Sequence, residues 1–197
     1  MGNDKLVHVV IDLETTATSR NACIGSLGAK VLFEDQLVVE TYHTKHFHFN
    51  IREQEVLGRD VDEATMDWWS KQPTFIRNQE LGSTYPTLTQ LENVVDWLKD
   101  ITGGDTKRLR IWGNSNTFDN DNLRTLLDDY NIQVPWLYWQ DRDFRTLKAL
   151  IDVPTPVNPQ PHSAYFDAVT EAAHMETILR TISWAGLTLP EFRGYEF

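Results

Sequence analysis

The chain has 197 residues, 41% hydrophobic and 24% charged, a balance that suits one folded domain and excludes a disordered or collagen-like chain. Eighteen lysines and arginines against 29 acidic residues leave a net charge of −11, the wrong sign for sequence-independent binding to long duplex nucleic acid. No run approaches the ~20 apolar residues that span a bilayer, and no basic-flanked apolar leader opens the chain. The single cysteine, Cys23, excludes an internal disulfide framework and fits a reducing cytoplasm.

Residues 6–14 predict the first strand. Leu6, Val7, Val9, Val10 and Ile11 suit a strand buried on both faces, and the run ends on Asp12 and Glu14. Side chains alternate along a strand, so these two carboxylates project to one side. Held together there, they repel one another unless a cation lies between them. A strand end that simply meets solvent is the plain alternative. A polar loop over residues 15–21 leads to a second strand over 23–33, a turn at 34–36 and a returning strand over 37–49. The three strands predict an antiparallel meander. His43, His46 and His48 fall on the third; His46 and His48 share a face, either as the polar side of an edge strand or as a histidine metal site.

Residues 62–70 predict a short helix carrying Met66, Trp68 and Trp69, whereas 72–85 read as a polar, irregular and mobile insertion. Thr87 and Gln90 fit a capping box, and Leu88, Leu91, Val95 and Leu98 give the following helix its apolar face. A strand over 108–112 and a helix over 119–130, with Leu123, Leu126, Leu127 and Tyr130 inward, come next. Asp143 caps a helix that packs through Phe144, Leu147 and Ile151. Pro154, Pro156, Pro159 and Pro161 stiffen a connector to the last helix, expected over 163–184 and ended by Gly186. No repeat or linker divides the chain. The expected fold class is a single α/β domain: a mixed sheet whose first three strands are antiparallel, with helices on both faces.

Three further residues bear on chemistry. Asp119 opens a helix after a strand, where it can serve as a cap. Asp167 lies in the first turn of the last helix, where the macrodipole favours a negative charge. His162 precedes that helix directly, as an ordinary loop residue or as a base; an imidazole, with its usual pKa near ~6.5, can accept a proton at neutral pH.

Together, Asp12-Leu13-Glu14-Thr15, Phe118-Asp119 at a helix start, and His162 five residues before Asp167 resemble the three motifs of the DEDDh 3′–5′ exonucleases. Gly58-Arg59, the Trp68-Trp69 pair, Trp112-Gly113-Asn114 and Asp141-Arg142-Asp143 extend the resemblance over nearly the whole chain, toward the small phage exonuclease A and Rv2179c-like exoribonuclease group. That resemblance implies an RNase H-like fold and two divalent cations, Mg²⁺ or Mn²⁺, held by Asp12, Glu14, Asp119 and Asp167, with His162 as general base. It also implies that Thr15 meets the terminal nucleotide of a single-stranded 3′ end. Asn114, Asn116 and Phe118 are candidate substrate contacts beside Asp119, and one of Trp68 and Trp69 is expected to stack on a base while the other is core. The expected activity is 3′–5′ hydrolysis of single-stranded nucleic acid to 5′-monophosphates, DNA favoured and RNA accepted, without membrane or obligatory protein partner. The alternatives are an exoribonuclease, a proofreading subunit of a polymerase, and a binding protein of the same fold without turnover.

Overall fold

A computed structural model describes residues 5–33 and 43–184. Three N-terminal strands, β1 (Val7–Thr15), β2 (Ile24–Phe33) and β3 (Thr44–His48), are joined by β4 (Leu109–Gly113) and β5 (Asp141–Asp143). They form one five-stranded sheet in the order β3-β2-β1-β4-β5. The β1–β2 and β2–β3 pairings are antiparallel, and β1–β4 and β4–β5 are parallel. The expected mixed sheet and antiparallel meander are both present. The predicted turn at 34–36, the first part of the third strand and the stop at Gly186 lie outside the described residues.

The period of two along β1 separates core from chemistry. Val7, Val9, Ile11 and Leu13 point into one core, filled by Leu91, Val95 and Leu98 of α4 (Thr87–Ile101) and Leu123, Leu126 and Leu127 of α5 (Asp119–Asp129). Val10 enters a second core on the other face, with Phe144 and Leu147 of α6 (Phe144–Leu150) and Ala172, Met175 and Ile178 of α7 (Ala164–Trp184). Asp12 and Glu14 have the parity of Val10, so they emerge on the face that α7 covers.

Several elements depart from expectation. Residues 72–85 are not irregular throughout, because α3 (Thr74–Leu81) lies there, following α2 (Glu63–Ser70). Its buried residues are Ile76 and Glu80, one turn apart, so an acidic side chain occupies what apolar periodicity would require to be hydrophobic. The capping box at Thr87 does not form: Pro86 takes the cap position without a side-chain bond, and Thr87 is buried in the first turn. Its N–H donates to Glu53 Oε2 at 2.8 Å and its hydroxyl donates to the Asn50 carbonyl at 3.2 Å. Those partners belong to α1 (Ile51–Val56) and its cap, a six-residue helix too short to announce itself by periodicity. Asp143 does cap α6, accepting from the Thr146 N–H at 2.7 Å.

Candidate metal centre and nuclease site

The site is built where α7 lands on the sheet. Gly28 stands opposite Asp12 in the β1–β2 register. A Cβ at Gly28 would lie 1.8 Å from the Ala164 carbonyl oxygen and 2.7 Å from the Tyr165 nitrogen. Only glycine admits the first turn of α7 so close to the strand, and that approach carries Asp167 to the end of β1. Carboxylate oxygens of Asp12, Glu14 and Asp167 consequently all lie within 4.8 Å of one another. A bulge between Glu14 and Thr15 ends the regular pairing at this point, a device that re-aims strand-end side chains.

Asp119 stands apart from that trio, though its charge reaches Asp12 and Glu14. It is the first residue of α5, not its cap, and is buried. Its carboxylate accepts from the Ser115 N–H at 3.1 Å. A Cβ at Gly113 would meet Asp119 Cβ at 2.7 Å, so a second glycine admits the second motif.

The acidic groups are electrostatically crowded. Burial, then the charge of Glu14, pushes Asp12 well above the usual carboxylate range. Burial and Asp167 push Glu14 up to about 9. Asp119 rises to about 6 through burial, against hydrogen bonds from backbone N–H groups and the charge of Arg145. Burial also raises Asp167, with His162 opposing. A fifth acid, Glu171, follows Asp167 by one turn of α7; burial and Asp119 bring it to about 8. Its Oε2 is buried with no hydrogen-bond partner. All of these donors are hard oxygens, and their mutual repulsion is what a hard divalent cation relieves; the residues present fit Mg²⁺ or Mn²⁺.

His162 is exposed beside Asp167, at a φ of 63°. Its ring meets Trp68 edge-on, centroids 4.8 Å apart. The two tryptophans differ in burial. Trp69 is 1% exposed and its indole donates to the Thr15 carbonyl at 2.9 Å, whereas Trp68 is 39% exposed at the rim. Thr15 is buried, its hydroxyl donating to the Ala17 carbonyl at 2.8 Å. Asn114 and Asn116 lie on the connection between β4 and α5, just before Asp119. The Asn114 side-chain oxygen accepts from Lys148 Nζ at 3.0 Å, and the Asn116 N–H donates to Asp143 at 3.2 Å. Phe118 is half-buried at the α5 cap.

His46 and His48 share a face, with ring centroids 4.0 Å apart. Among the described residues, the group with metal-ligand geometry is Asp12, Glu14 and Asp167, not these histidines. His46 Nε2 instead lies 3.0 Å from Glu80 Oε2. Burial would raise the Glu80 carboxyl, but hydrogen bonds from His46 and Ser26 outweigh it and hold the group below the ordinary value. Glu80, Glu171 and Arg145 are the residues that motif reading passed over. The one sequence signal for Glu171 is its i+4 spacing from Asp167; Glu80 has none, because its role depends on what α3 packs against.

The 3′-5′ exoribonuclease Rv2179c-like domain family matches residues 7–179. The chain belongs to that family. The expected resemblance to the Rv2179c-like group holds. Sequence comparison with curated proteins gives no match. Solved structures agree on the fold. Escherichia coli exonuclease I in complex with a dT13 oligonucleotide is 11% identical with a TM-score of 0.65, over 92% of this chain and 42% of that one. The nuclease domain of 3′hExo, a DEDDh family member bound to rAMP, is 11% identical with a TM-score of 0.60, over 96% of this chain and 97% of that one. The chain spans about two fifths of the exonuclease I chains it matches, 41% of the zinc-bound form. Among the described residues no helix is long and apolar enough to cross a membrane.

Proposed function

We propose that this domain removes nucleotides one at a time from single-stranded 3′ ends, releasing 5′-monophosphates with the help of two divalent cations. The observation that carries the proposal is the convergence of Asp12, Glu14 and Asp167 within 4.8 Å, with an exposed histidine on the turn that opens the Asp167 helix. Asp12, Glu14 and Asp167 would hold one cation, and Asp12 and Asp119 the other. Such cations, when bound, lower the pKa of an attacking water and neutralise charge on the phosphate and leaving oxygen. His162 accepts the proton of that water at a ring nitrogen. Trp68 offers its exposed indole to a base near the 3′ end. Thr15 and Trp69 shape the floor beneath the terminal sugar, the Trp69 indole fixing the Thr15 carbonyl.

Thr15, Asn114 and Asn116 can each bond a 2′-hydroxyl and none is bulky enough to exclude one, so both sugars are accepted; DNA is the expected main substrate, with measurable RNA cleavage. The family's description as exoribonuclease favours the second reading, RNA as the faster substrate. Matched DNA and RNA oligomers of one sequence, 5′-labelled and compared at one salt concentration, decide between them. A ladder from the linear strand, an untouched circular strand, and loss of activity in chelator with return in Mg²⁺ or Mn²⁺ support the proposal. Cleavage of the circle, or full activity in chelator, overturns it.

A further inference from the structure

We infer that Gln79 and Glu80 of α3 are positioning residues for the His162–Asp167 turn, acting through Ser163; the inference rests on the exonuclease reading of the site. Glu80 is fully buried, an expensive place for a carboxylate unless its oxygens are hydrogen-bonded. They are. Oε2 accepts from the Ser26 hydroxyl and lies 3.0 Å from His46 Nε2, and Oε1 accepts from Gln79 Nε2 at 2.7 Å. The same Gln79 amide nitrogen donates to Ser163 Oγ at 3.2 Å, and the Ser163 hydroxyl in turn bonds toward Glu80. Ser163 is fully buried between His162 and α7, and its carbonyl accepts the Asp167 N–H at 2.8 Å.

Both ends of this chain of contacts are anchored in the site. Ser26 stands opposite Glu14 in the β1–β2 register. A Cβ at Gly25 would come 2.5 Å from the Glu80 carbonyl oxygen, so α3 is seated directly on β2. At the other end His162 holds a φ of 63°, a left-handed conformation uncommon for a non-glycine residue. The next residue, Ser163, is the one that the Gln79 and Glu80 side chains grip. A buried carboxylate with several donors is a stiff post, and a general base must be held to a fraction of an ångström to act.

The test combines Gln79→Ala, Ser163→Ala and the double variant in the full chain, with Mn²⁺ and a 5′-labelled single strand. Gln79 is exposed at its edge of α3, so its truncation leaves the core intact. We expect kcat to fall ~10-fold or more in each single variant with KM within ~2-fold of wild type, the scale of losses when a supporting partner of a metal site is removed. The double variant should be no slower than Ser163→Ala alone, because both changes break one linkage. Amide hydrogen exchange in residues 162–167 should quicken in Gln79→Ala while that of β1 and β2 does not. Wild-type kcat in Gln79→Ala, additive losses in the double variant, or unchanged exchange at 162–167 each overturns the inference. If the wild-type protein cleaves nothing, the exonuclease reading fails instead, and the exchange measurement still decides whether the clamp exists.

Discussion

Replacing Gly28 by alanine tests the central claim that α7 is brought to β1 by the absence of a side chain. The added Cβ would sit 1.8 Å from the Ala164 carbonyl oxygen, 2.1 Å from its carbonyl carbon and 2.7 Å from the Tyr165 nitrogen. Carbon and oxygen prefer roughly 3.5 Å, so the first turn of α7 must lift by about 1.5 Å or β2 must sink. No rotamer relieves the clash, since every atom met is backbone. Overpacking of this kind costs about 1–3 kcal/mol, which for a domain of this size lowers Tm by roughly 2–12 °C. The functional loss should exceed the stability loss. Asp167 rides on the displaced turn, and about 1 Å of misplacement of reacting groups can cost ~10²-fold in rate. The assay is kcat on a 5′-labelled single strand well below the variant's Tm, alongside thermal unfolding and calorimetric titration with Mn²⁺. We expect kcat down by ~10²-fold, weaker Mn²⁺ binding and a folded protein. Wild-type Tm, Mn²⁺ affinity and kcat in Gly28→Ala would refute the packing argument.

Other outcomes follow from the same geometry. Asp167→Ala or Asp12→Ala should abolish hydrolysis while the fold persists; full activity in either, with metal present, sinks the two-cation proposal. His162→Ala should lower kcat by ~10²–10⁴-fold with little loss of binding, the usual scale for a general base; lost binding with intact turnover would make it a substrate contact instead. Trp68→Ala should weaken strand binding by about 1–3 kcal/mol without changing Tm, whereas Trp69→Ala should cost about 3–5 kcal/mol of stability; equal effects from the pair would contradict their burial. The metal-free protein should lose stability as pH rises. Glu14 goes from an ordinary 4.5 to about 9 on folding and Glu171 from 4.5 to about 8, so the native state binds more protons than the unfolded state between those limits. In chelator, Tm should therefore fall from pH 5 toward pH 9, and saturating Mg²⁺ should flatten the slope. A metal-free Tm that climbs over that range would show that the carboxylates do not crowd as described.

Much of the protein was legible in the chain itself. The period of two along residues 7–14 determined that Asp12 and Glu14 share a face opposite the core residues Val9, Ile11 and Leu13, because strand geometry permits nothing else. Helical spacing located α4, α5, α6 and α7, and the order of Asp12, Glu14, Asp119, His162 and Asp167 pointed to the family. Local pattern failed where a residue's environment is supplied by distant chain. Within residues 74–81 Ile76 and Glu80 are buried, and Glu80 reads as solvent-facing until Ser26, His46 and Gln79 are seen around it. Thr87 looked like a cap, but α1 and its Asn50 cap, from about 35 residues upstream, took its hydrogen bonds. Trp68 and Trp69 are equivalent in sequence but differ in burial, and the partner of the inward indole, the Thr15 carbonyl, is more than 50 residues away in the chain. Periodicity is a property of neighbours along the chain, whereas the depth of the site, the seat of α7 at Gly28 and the network that grips Ser163 are set by contacts across the sheet.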